Sequence, residues 1–367
     1  MTPLGALWEP LAPLVNFLSR PEVLFFVSIL ALWASIRWAR VWTEPRVALP
    51  LAAVTLLFGV VAAGHPQVQR TMSLPDNIPI VIVLVALGFL YWLALRQAVL
   101  NDARIAAGEP PAEAAEKNRK VLVWPDLVYT ELIAMVVCTV VLVVWSILLK
   151  APLEEPANAA RTPNPAKAPW YFLGLQEILV YFDPWWAGVG LPATIMMGLV
   201  AIPYVDRNPR GNGYFTLRER KSAISIFLFG FFVLWVLLAF VGTFLRGYGW
   251  NFFGLFQDWD EAYVPNLKNI DLSEIVWVQV LGLAREPEPW YLRELWGFLA
   301  IGFYMGVLPV ILALTVFRRL FRELGALRFG VVINLALLML ALPIKMVLRW
   351  TLNLKYIVEL PEILLNI

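Results

Sequence analysis

Long apolar runs dominate the chain, near residues 21–37, 48–64, 78–96, 127–149, 187–205, 222–246, 294–318 and 328–350. A bilayer hydrocarbon core of about 30 Å takes about 20 residues of helix. Each run therefore predicts one membrane-spanning helix, eight in total. Backbone amides in lipid must pair within their own segment, which helices achieve. The alternating segments of a β-barrel, about ten residues each, are absent. The fold class read from the pattern is an all-α membrane protein, with about eight transmembrane helices and one amphipathic surface helix.

The polar stretches between the runs set the organisation. Residues 1–96 hold three spans behind an interfacial leader, and 97–126 form a polar, helix-forming linker (AAGEPPAEAAEKNRK). Residues 127–246 are a central core, 247–293 an aromatic loop, and 294–367 two further spans with an interfacial tail. The connections 150–186 and 247–293 are rich in Pro and aromatics, which suits structured surface elements. No internal repeat is visible.

Basic residues suggest an orientation. More than half of the 29 Lys and Arg fall in alternate short loops: Arg37 to Arg46, Arg96 to Lys120, Arg207 to Lys221, and Arg318 to Arg328. Short basic loops favour the cytoplasmic, negative (n) side. Both termini then face the positive (p) side. The first residues lack a basic n-region, and Pro3, Glu9 and Pro10 interrupt the apolar run, so no cleavable signal is read. A bacterial cytoplasmic membrane is the expected location.

Composition sharpens the class. Apolar residues make up 60% and charged residues 15%, with a mean hydropathy of +0.71. Water cannot solvate that much apolar surface, which excludes a soluble enzyme. Seventeen Trp, mostly at run ends, suit interfacial belts. The net charge of +2 gives no field for nucleic acid. The single Cys138 excludes an internal disulfide or a Cys-ligated cluster. One histidine, His65, cannot ligate a bis-His haem within this chain.

Chemistry is concentrated in residues 168–182, APWYFLGLQEILVYF. Pro169 suits a helix start, and Tyr171, Leu175, Ile178, Leu179 and Phe182 follow helical spacing. One reading is an interfacial anchor with Trp170 and Tyr171 in the belt. The other is a wall of an apolar pocket for a lipophilic ligand, with Glu177 as the acid able to take a proton.

These residues stand in a recognisable order. WPDLVYTE (124–131) opens a span, NPAKAPWYFLGLQEILVYF (164–182) follows in the next loop, then FDPWWAGVGLPATIMMGLVAIPYVD (182–206) and, further on, RGYGWNFF (246–253). The series resembles the C-terminal half of cytochrome b, which in split versions is a separate chain, subunit IV. The resemblance implies a membrane subunit of a cytochrome bc-type quinol–cytochrome c oxidoreductase. It implies quinol or quinone as ligand and haem b in a partner chain. The implied partners are a haem-bearing N-terminal-type cytochrome b, a Rieske-type iron–sulfur protein and cytochrome c.

The family's Pro-Glu-Trp-Tyr quinol-site motif falls on Ala168, Pro169, Trp170 and Tyr171. Its glutamate position is Pro169, which cannot accept a proton. Glu177, two turns on, is the candidate substitute; the competing reading is a water-facing residue. Loss of the motif glutamate accompanies menaquinone among relatives, so menaquinol is the expected substrate. Glu131, six residues after Pro125, matches the family's acidic residue at the n-side quinone-reduction site. Its plain reading is a carboxylate near enough to the interface to reach water.

Other residues receive structural readings. Asp126 suits a helix entrance, and Asp183 a cap for the following span. His65 is expected in an interfacial turn, Lys345 to snorkel to headgroups, and Cys138 to be a small packing residue. Met196 and Met197 are expected in a core. Trp250, Phe252 and Phe253 are expected in the membrane interface. The alternative function is a non-redox structural subunit or a transporter. A transporter should show repeats and deep charges, and a purely structural subunit does not need the ordered motif.

Overall fold

A computed structural model describes residues 8–115, 120–151, 156, 158–160, 164, 166–206, 214–265, 267–361 and 365–367. Lys117, Arg119, Arg207 and Arg210 of the basic loops, Pro165 of the loop motif and residues 1–7 of the leader lie outside them.

The protein is an all-α membrane protein. Its helices are α1 (Glu9–Leu18), α2 (Pro21–Arg37), α3 (Pro45–Ala62), α4 (Pro66–Ser73), α5 (Ile78–Ala106), α6 (Val123–Leu148), α7 (Trp170–Ile178), α8 (Trp186–Val205), α9 (Leu217–Leu245), α10 (Leu295–Leu314) and α11 (Arg318–Leu352). Seven are long and apolar enough to cross a membrane, and the pair α1–α2, bent by 82°, raises this to eight. A two-residue strand pair, β1 (Glu359–Leu360) and β2 (Leu365–Asn366), runs antiparallel near the end.

Prolines set many helix starts. Pro21, Pro45 and Pro66 each occupy a first position, where the missing N–H has no intrahelical partner to lose. The residue before each is pushed out of the helical region: Arg20, Glu44 and His65 have ψ of 135°, 134° and 130°. The bend between α1 and α2 falls at such a position. Interior prolines also occur, Pro50 in α3, Pro203 in α8 and Pro343 in α11, as membrane helices tolerate.

The described helices fall into two compact units. The first comprises Met1–Tyr171 and Arg210–Tyr263. Here Val241, Phe244 and Leu245 of α9 are buried against Leu24 of α2 and Val81 and Leu84 of α5. The α5 helix runs ten residues beyond the expected span and takes in part of the polar linker. Asn101 and Asp102 on that extension are buried. The Asn101 amide donates to Glu113 and to the Phe215 carbonyl, at 2.8 and 3.0 Å. Asp102 Oδ1 accepts from the Arg218 N–H at 3.1 Å. Asp102 thus caps the start of α9 from another helix, where the dipole favours an anion. Helix α6 has no buried residue between Val128 and Leu148. Cys138 is accordingly exposed, not packed.

The second unit comprises Phe172–Pro209 and Val264–Ile367. Its core joins Ala313 of α10 to Phe329, Ile333 and Leu337 of α11. The Tyr304 hydroxyl donates to the Leu337 carbonyl at 2.7 Å. Gly325 breaks α11 at φ +75°, a conformation that costs glycine little. Asn353 ends the helix in the left-handed region at φ +56°. The tail then lies against the start of α10, close enough that a Cβ at Gly297 would meet the Ile357 carbonyl.

Candidate functional site

In the first unit, the loop before α7 is fastened to the end of α9. Lys167 Nζ donates to the Thr243 carbonyl at 2.9 Å and lies 4.5 Å from the centre of the Trp259 ring. The last carbonyls of a helix lack intrahelical partners, and a lysine there also meets the negative end of the dipole. Asn164 Oδ1 accepts from the Gly249 N–H at 2.7 Å. Phe253 is buried and its N–H returns to the Leu245 carbonyl at 2.8 Å. Phe252 packs on the Val241–Leu245 core. These aromatics therefore fold onto their own chain, which corrects the expectation of an interfacial role; their apolar run is spent closing the end of α9.

The motif residues Ala168 to Tyr171 lead directly into α7, which opens at Trp170. Ala168 and Trp170 are half-buried, Pro169 and Tyr171 exposed. The buried side of the segment is formed by Leu173, Gly174, Glu177, Ile178, Tyr181 and Phe182. Tyr171, Phe172 and Leu179 are exposed. Spacing alone had grouped Tyr171 and Leu179 with Ile178 and Phe182 as one stripe. The structure separates them, and leaves an open apolar face.

Glu177 is completely buried, at 0% exposure. This overturns its reading as a water-facing residue. At about 100° per residue it lies roughly 160° around the helix from Leu175 and Leu179. The carboxyl and the open apolar face are thus on opposite sides of α7.

Glu131 sits in the first turn after Val128 and is exposed, like the rest of α6. Asp126 lies one turn earlier, in the opening turn as expected. Asp183 Oδ1 accepts from the Trp185 N–H at 3.1 Å, so it does cap the next span.

His65 is a structural residue. Its Nδ1 accepts from the Gln67 N–H at 3.2 Å and caps α4. The ring lies 4.4 Å from Trp8 and 5.5 Å from Phe256, centre to centre. Burial holds its pKa below the ordinary value, and the charge of Asp258 offsets part of that.

Two expectations in the second unit are corrected. Lys345 is 1% exposed and does not snorkel. Its amine lies 5.6 Å from the Phe182 ring centre and has no hydrogen-bond partner among the described residues. Position 345 falls between Leu342 and Met346 on the inward face of α11, so the helical period could have placed it. Met196 and Met197 are exposed, on the wall of a cleft between α8 and α11, because the two helices leave that space unfilled. Near the tail, Glu294 is buried, accepting from Arg293 Nε at 2.8 Å and from the Glu359 N–H at 3.0 Å. Burial and the neighbouring Asp271 raise the pKa of Glu359.

No solved structure matches the chain. A family model described as cytochrome b (C-terminal)/b6/petD matches residues 156–253. The match starts after the WPDLVYTE span opening and ends at Phe253, so it includes the motif, α7, α8, α9 and the folded-back aromatics. Within a multi-pass membrane protein, residues 156–253 are thus similar to the cytochrome b (C-terminal)/b6/petD family, which supports a subunit IV-like domain over that stretch.

Proposed function

We propose that the chain is the non-haem membrane subunit of a cytochrome bc-type menaquinol–cytochrome c oxidoreductase. It works with a separate haem b-carrying cytochrome b polypeptide, a Rieske-type iron–sulfur protein and cytochrome c. The observation that carries this reading is the family match over 156–253, which encloses Ala168 to Tyr171 and Glu177. The single histidine supports the division of labour, since its Nδ1 is already engaged in capping α4.

Menaquinol gives up two electrons and two protons when it is oxidised to menaquinone. The electrons pass to iron in the partner chains. This chain supplies the wall and the proton groups. Trp170, Tyr171, Phe172 and Leu179 offer an apolar surface to the ring and tail of the quinol. Pro169 stiffens the approach but takes no proton. Glu177, enclosed on the opposite side of α7, receives its proton through an intervening group, not from the ring directly, and passes it on through the interior. A carboxylate is suited to relay protons to and from a bound substrate. Glu131 serves the second, quinone-reducing pocket on the opposite side of the membrane, as an ionisable group inside a span.

The test uses the purified assembly and inhibitor-sensitive quinol–cytochrome c reduction. Glu177→Gln should lower kcat about a hundredfold, the lower end of the range for a proton-transfer group. Glu131→Gln should slow quinone reduction and spare quinol oxidation. Unchanged quinol oxidation in Glu177→Gln would refute the assignment. Purification without a haem b partner would remove the wider reading.

A further inference from the structure

A cleft of about 520 Å³ opens within the second unit, walled by Met196, Val200 and Tyr204 of α8 and by Leu327, Arg328 and Val331 of α11. Its polar groups stand at one end only, the Arg328 guanidinium and the Tyr204 hydroxyl. Met196 to Tyr204 covers about 12 Å of helix. Half of a hydrocarbon core is about 15 Å. The cleft therefore has the depth of one leaflet, with its charge at the rim.

The rim is also where α11 breaks. Gly325, at φ +75°, turns the preceding basic segment off the axis of the span. That segment holds Arg318, Arg319 and Arg322. Arg319 is engaged with Glu323 at 2.9 Å. Arg328 makes no hydrogen bond or ion pair among the described residues. A cation with no partner among the described residues thus caps an apolar groove of leaflet depth.

We propose that this groove binds one anionic phospholipid, with an acyl chain between α8 and α11 and its phosphate on Arg328. An acyl chain matches the apolar walls below the rim, and a monoanionic phosphate matches the Arg328 guanidinium. A quinone fits less well, because its two carbonyl oxygens lie on opposite sides of the ring and the polar groups of the cleft stand at one end only. The site lies outside the motif on α7 and does not depend on the redox reading.

Native mass spectrometry of the detergent-purified full chain tests this with phosphatidylglycerol, phosphatidylcholine of matched tails, and inorganic phosphate. The wild type should retain one phosphatidylglycerol, and a rim charge of this kind should favour it about fivefold over phosphatidylcholine. Arg328→Gln should abolish that preference, while Arg319→Gln leaves it intact. Ala201→Trp, which fills the groove, should reduce binding of both lipids, with thermal unfolding confirming the fold. Equal retention of the two lipids by the wild type would overturn the proposal. So would a preference that survives Arg328→Gln, or displacement of the lipid by inorganic phosphate, which would make the site a headgroup site without a groove.

Discussion

The amine of Lys345 faces the ring of Phe182 at 5.6 Å and has no hydrogen-bond partner among the described residues. A desolvated cation–π contact is worth about 2 kcal/mol. Burying an ammonium group costs several kcal/mol. The ring does not offset the loss of water. Lys345→Met should therefore raise stability by on the order of 1 kcal/mol, since an apolar side chain of similar shape removes an unsatisfied donor. Thermal unfolding in detergent measures this. A clear loss of stability would mean that the amine is held by a group outside the described residues.

Asp102 caps α9 from a distant helix. Asp102→Ala should cost on the order of 1 kcal/mol, the usual loss for a removed cap. Asp102→Asn keeps an acceptor and should recover most of it. Equal Tm values for wild type and Asp102→Ala would show that the cap carries no weight.

Gly297 lies under the tail, where a Cβ would run into the Ile357 carbonyl and the Val358 side chain. Gly297→Ala should destabilise by roughly 1–3 kcal/mol, as overpacking does, and should loosen the tail. Hydrogen exchange at Ile357 and Val358 would rise first. Unchanged protection there would contradict the contact.

The folded-state pKa of His65 is depressed, so the folded protein binds this proton less readily than the unfolded chain does. The stability linked to His65 is complete above its ordinary value of 6.5 and is lost as pH falls through the lower folded value. Thermal unfolding scanned over about pH 5 to 8 should show that fall. His65→Asn keeps a capping acceptor and removes the titration. As His65 is the single histidine, this variant should be flatter across that window. Parallel curves would dismiss the link.

The spans were legible because lipid imposes one demand, about 20 apolar residues in a helix, and the chain meets it repeatedly. The family resemblance was legible from ordered residues around Trp170, and its end at Phe253 coincides with the matched region. Which side of a helix turns inward was harder to read. In α7 apolar residues occur on both faces, so spacing put Tyr171 with the buried set and left the enclosed and water-facing readings of Glu177 undecided. Lys345 was misread for the opposite reason: a charge near a span end normally reaches water, whereas this one is buried beside Phe182. The partners of Asn101 and Asp102 are more than 100 positions away in sequence, and no local pattern reports such contacts.

Among the described residues, helix α6 has no buried side chain from Val128 to Leu148. Packing against the described residues therefore places little constraint on its composition beyond apolarity. Intolerance to substitution along it would point to surroundings beyond those residues. A scan around its circumference would separate an arc that touches protein from an arc that touches lipid, and the position of Glu131 on that map would identify which surroundings its carboxyl serves.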